Sequence, residues 1–145
     1  MRNSNKYALI YALFSASIGV LAGAFLGFYN ENAYGNSPFY IVLAWAFGGF
    51  ASGYIVWRIV GAESKTAAFF CGFITGWLTQ CLSPLLFFVV SALNGPADFF
   101  AASWLIAVAV YIGVIMLSWF VVPLSIAAAF YLRFTTTKKR IGGRK

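Results

Sequence analysis

Thr79, Gln80 and Ser83 are the residues best placed for chemistry, because they lie inside a long apolar run. With Gly72 and Gly76 they follow helical spacing, which predicts one face of a helix that is small or polar. A glutamine amide in hydrocarbon must find hydrogen-bond partners, so this face should point into a bundle or a wet cavity. It is a candidate polar lining. The other reactive side chains are sparse. Histidine is absent, which excludes a His base and His ligation of haem and argues against most zinc or copper sites. Cys71 and Cys81 fall ten residues apart on one expected helix, about 15 Å at the helical rise, too far for a disulfide. Glu31 and Asp98 stand in loops. The Cys, Ser, Tyr and loop carboxylates form no catalytic constellation for a lipid- or quinone-directed enzyme. The expectation is a protein that is not an enzyme, with no cofactor and no metal.

The elements that hold these residues are membrane spans. The chain has 145 residues, 62% hydrophobic and 9% charged, where a soluble domain carries roughly 25% charged residues. Four apolar runs are expected to cross the bilayer, at about residues 7–29, 39–60, 67–93 and 105–132. The fold class read from this is all-α, a polytopic four-transmembrane-helix bundle, as one domain over 1–132 with a basic tail at 133–145. The last apolar stretch, 99–132, would reach roughly 50 Å as one helix, so 99–104 are expected at the interface. Pro84 and Pro123 should kink their spans. The tail is expected to be irregular beyond its first few residues. A signal peptide ending at Ala22-Gly23-Ala24 is the competing reading of the first run, but Phe25, Leu26 and Phe28 carry the apolar run past that site.

Small residues recur at four-residue spacing. Ser15, Gly19, Gly23 and Gly27 line one stripe of the first span, the pattern of a glycine zipper. Gly49-Phe-Ala-Ser-Gly53 resembles Gly72-Phe-Ile-Thr-Gly76 on the next span. Folding that hairpin between Ala62 and Glu63 sets Gly49 level with Gly76 and Gly53 with Gly72, a close crossing of spans two and three. The first stripe would then be free for a partner. Tyr7, Tyr29, Tyr40, Trp57, Trp104 and Tyr131 fall near span ends, as an interfacial belt does. Trp45, Trp77 and Trp119 lie deeper and read as packing residues.

Charge sets the expected orientation. All 10 Lys and Arg lie on the side of the termini and the 61–65 loop. Both termini are therefore expected in the cytoplasm, with a bacterial inner membrane as the location. Lys138, Lys139, Arg140, Arg144 and Lys145 are a candidate surface for anionic lipid; nucleic acid is not an expected partner. Gly19, Gly23, Gly27, Glu31, Gly35-Asn36-Ser37-Pro38, Gly48 and Arg58 together resemble the helical hairpin of small ATP synthase accessory membrane proteins, the protein I type and its two-span relatives. That resemblance covers spans one and two and implies an accessory role. Glu31 stands where the family carries Asp, and Asn36 where it carries Thr. The function expected is an accessory, assembly or immunity-like subunit that acts by helix packing, with a membrane-protein partner or as a homo-oligomer. The alternative is an oligomeric channel, carrier or holin-like protein lined by Thr79, Gln80 and Ser83.

Overall fold

A computed structural model describes residues 5–29, 38–94, 115 and 117–142. The described residues form four helices: α1 (Asn5–Tyr29), α2 (Pro38–Ile59), α3 (Lys65–Asn94) and α4 (Ser118–Gly142). Each includes a segment long and apolar enough to cross a membrane. In lipid, a spanning segment must satisfy its own backbone, which makes helix the outcome for runs of this composition. The chain is a multi-pass membrane protein built as a four-helix bundle.

Local sequence explains the ends. Pro38 occupies the first turn of α2, where its missing N–H costs nothing. Gly61 takes a left-handed φ of 65° after α2, and its N–H bonds the Trp57 carbonyl at 3.0 Å, a C-terminal cap that favours glycine. Ser64 then caps α3, its Oγ accepting from the Ala67 N–H at 2.9 Å. The third span thus begins two residues earlier than its apolar run. α3 continues through Pro84 and α4 through Pro123. α4 also runs to Gly142, so the tail expected to turn irregular beyond its first few residues continues as helix. The 30–37 loop, 95–114 (with Asp98 and Trp104), Arg144, Lys145 and the side chains of Lys138, Lys139 and Arg140 lie outside the described residues.

Successive helices are neighbours: α1 packs on α2, α2 on α3 and α3 on α4, while α4 meets α1 over a smaller area. The Tyr11 hydroxyl donates to the Ser125 carbonyl at 3.2 Å across that last seam, and Phe14 meets Tyr131 edge-on. At one end, Arg58 donates to the Asn5 side chain and Arg133 Nε to the Glu63 carbonyl at 3.5 Å. With Lys6 and Lys65 beside these contacts, the described basic side chains gather at that end.

Among the described residues, two apolar clusters fill the interior. One joins Ala8, Tyr11, Val56, Trp57, Cys71, Ala129 and Leu132, near the basic end. The other joins Ile18, Ala22, Ile41, Trp45, Leu117 and Val121. Trp57 is therefore an interior residue, its ring 4.9 Å from that of Tyr11, and does not belong to an interfacial belt. Trp45 is buried, whereas Trp77 and Trp119 face outward. Trp119 is therefore no packing residue within the described bundle, while Trp77 rests against Phe73.

Candidate functional site

The glycines show how closely the helices approach. A Cβ built on Gly19 would strike the Trp45 carbonyl, and one on Gly23 would lie 2.9 Å from Val42 Cα. Across the same interface, a Cβ built on Gly49 would strike the Ser15 carbonyl and one on Gly53 would lie 2.6 Å from Ser15 Oγ. Thus Ser15 on α1 faces Gly49 and Gly53 on α2, while Gly19 and Gly23 on α1 face Trp45 and Val42. The α1 stripe is covered by its own neighbour and is not free, and Gly49 and Gly53 do not face α3. Gly72 and Gly76 face α4 instead, at Ile126 and Val122. The surroundings of Gly27 lie outside the described residues.

The reason for the correction is geometric. A helix with two neighbours in a bundle needs two narrow faces, and residues one apart point about 100° apart. α2 supplies both faces. Gly49 and Gly53 admit α1, while Gly48 and Ser52, one residue earlier in each case, admit α3. Gly48 lies against Ser83, and Ser52 Oγ is 2.5 Å from Thr79 Oγ1. This sets the register of α2 against α3 about six residues from the one the paired glycine motifs predicted.

The polar residues of α3 divide in the same way. Thr75, Thr79 and Ser83 form one stripe at four-residue spacing, of which Thr79 and Ser83 meet α2. Gln80 continues the Gly72–Gly76 stripe and meets α4, where its Oε1 accepts from Ser118 Oγ at 3.1 Å. Thr79, Gln80 and Ser83 are thus all interior, but on two adjacent faces rather than one.

Together with Ser15, Ser52 and Ser125 these side chains make a buried polar belt. On three of the helices it lies between the two apolar clusters: Ser15 falls between Tyr11 and Ile18, Ser52 between Trp45 and Val56, and Ser125 between Val121 and Ala129. Most of its hydroxyls are bonded. Thr79 donates to the Thr75 carbonyl at 2.8 Å and Ser83 to the Thr79 carbonyl at 2.7 Å. Ser52 Oγ also lies 2.7 Å from the Gly48 carbonyl. Among the described residues, three buried side-chain atoms have no partner: Ser15 Oγ, Thr75 Oγ1 and Gln80 Nε2.

Sequence reasoning missed Tyr11, Ser52, Thr75, Ser118 and Ser125. The Thr75–Thr79–Ser83 and Gly48–Ser52 spacings were the available signals for Thr75 and Ser52. Tyr11, Ser118 and Ser125 are isolated in sequence, and only the fold brings them in. Among the described residues, no group of three or more His, Cys, Asp or Glu is placed to hold a metal. Comparison with known family models, curated proteins and solved structures finds no match to this chain.

Proposed function

We propose that this protein is a non-catalytic subunit of a membrane complex that acts by packing its outer surface against another membrane protein, in an accessory, assembly or immunity-like role. Trp119 is the observation that carries the reading. It is 87% exposed, and it follows Ser118, which bonds Gln80 near the middle of the apolar part of α3, Lys65–Val89. Tryptophan favours the membrane–water interface, where its indole N–H finds acceptors. An outward indole near mid-depth has only lipid tails beside it, and these accept no hydrogen bond. A partner helix with an exposed carbonyl or hydroxyl supplies that acceptor. Trp77 is also outward and near the middle of α3, one helical turn beyond the ring of Phe73, which stacks on Phe69.

The rest of the reading follows from charge. The basic end faces the cytoplasm, with both termini there, and the C-terminal extension of α4 lies against anionic lipid. Permeation has less support. Thr79 and Ser83 spend their hydroxyls on Ser52 and on helix carbonyls, which consolidates the bundle and does not leave a lined path.

A photo-crosslinking residue at position 119, expressed in native membranes, tests the proposal. Position 119 should give one discrete protein adduct, and Leu13, another outward residue, should give none. Labelling confined to lipid at both positions would overturn the reading.

A further inference from the structure

We propose that the bundle carries a built-in water site at mid-membrane, between α3 and α4, centred on the Gln80 amide. Gln80 is fully buried, with Oε1 bonded to Ser118 and Nε2 unpartnered. Exchanging the two ends of the amide moves the problem and does not remove it: Nε2 would then meet Ser118 and Oε1 would be left alone. Ser15 and Thr75, the other unpartnered groups, differ in kind. Each hydroxyl can rotate onto the carbonyl four residues back on its own helix. An amide on a glutamine side chain has no such local acceptor.

A second feature falls on the same residue. Pro84 has no N–H, so the Gln80 backbone carbonyl loses its usual helical donor. One residue thus presents an unpaired donor and an under-satisfied acceptor. On the facing side, Ile115 and Leu117 are in π-helical geometry immediately before Ser118, a wider turn frequent at functional sites. Water meets these needs together: it accepts from Nε2 and donates to a carbonyl or to Ser118 Oγ, within the two to four bonds a buried water makes. A hydrocarbon environment offers neither, and each group left unsatisfied there costs several kcal/mol.

Gln80 is the only glutamine in the chain, which makes the test selective. The full-length protein, labelled with 15N-glutamine and otherwise deuterated, is placed in lipid nanodiscs, and magnetisation transfer from bulk H2O to the single side-chain NH2 is measured. A water cross-peak at the Gln80 NH2 is expected. Its absence, with transfer from lipid or protein alone, overturns the proposal. Gln80→Met adds an independent arm by detergent unfolding. A hydrated amide predicts that the variant unfolds 3- to 10-fold more readily, since the Gln80–Ser118 bond and the amide's bonds to water are lost together. A variant as stable as the parent, or more stable, would show a dry, strained amide and overturn the site.

Discussion

Replacing Gly72 with Ala should loosen the α3–α4 interface although it adds only one methyl group. The new Cβ would lie 2.6 Å from the Ile126 N and 2.7 Å from the Ser125 carbonyl oxygen. Ordinary carbon contacts are roughly 3.5–4.0 Å. The neighbours are backbone atoms, so no side chain can swing aside, and α4 must retreat by about 0.7 Å or more. A gap of 0.5–1 Å forfeits about a quarter to a half of each contact energy of roughly 0.1–0.2 kcal/mol. Over about 40 atom pairs along this face, the loss is roughly 1–4 kcal/mol. The Tyr11 bond to the Ser125 carbonyl and the Ser118–Gln80 bond, each about 1 kcal/mol or less, are strained by the same movement. Against this, Ala is favoured over Gly within a helix by about 1 kcal/mol. The net expectation is a destabilisation of about 1–3 kcal/mol, measured by reversible unfolding in mixed micelles. Gly76→Ala should cost less, because part of its obstacle is the Val122 side chain. Leu13→Ala, on an outward face, should change little. If Gly72→Ala matched or exceeded the parent in stability, the helices would not be in backbone contact there, and the account of that interface would fail.

The Ser52–Thr79 pair is expected to couple α2 to α3 by about 0.6 kcal/mol, read from a double-mutant cycle of Ser52→Ala and Thr79→Val; a coupling of zero would remove its role in setting register. Gly23→Leu should prevent α1 from seating on α2, giving a protein that inserts but resists detergent poorly, whereas a variant that folds normally would show the α1 stripe to be lipid-facing. Reporter fusions after residue 145 and within 95–98 should report cytoplasm and exterior respectively; the reverse assignment would refute the orientation drawn from the basic end.

The spans were legible because each is a long apolar run bounded by polar or turn-forming residues, such as Gly61 to Ser64. Small-residue stripes were legible too, but not their partners. Gly49 and Gly53 match Gly72 and Gly76 in sequence, yet similarity between two stripes says only that each accepts a close neighbour. Which neighbour is decided by the direction each stripe takes around its helix, and on α2 the decisive signal was the offset stripe of Gly48 and Ser52. Trp57 misled in another way. It stands near a span end, as interfacial tryptophans do, but α3 and α4 carry their packing past that level, and Tyr11 covers its ring. The C-terminal extension was missed because helix propagation from a formed span does not need an apolar sequence.

The position of the polar belt follows from how a bundle in lipid must be specified. Apolar side chains gain little by leaving lipid tails for one another, so they give weak preference to one register over the next. Glycine contacts give closeness, and here they knit α1 to α2 and α3 to α4 as two tight pairs. Those pairs could still slide past each other. At their junction Ser52 meets Thr79, Gly48 meets Ser83, and Tyr11 reaches Ser125 across the closing seam. A slide of one turn there would bring hydroxyls against aliphatic groups, losing their inter-helix bonds where lipid offers no replacement. The belt therefore acts as the register of the bundle, while the glycines set its tightness. Gln80 is the member that register alone does not satisfy, which is why its amide, and not the hydroxyls around it, calls for a partner from outside the chain.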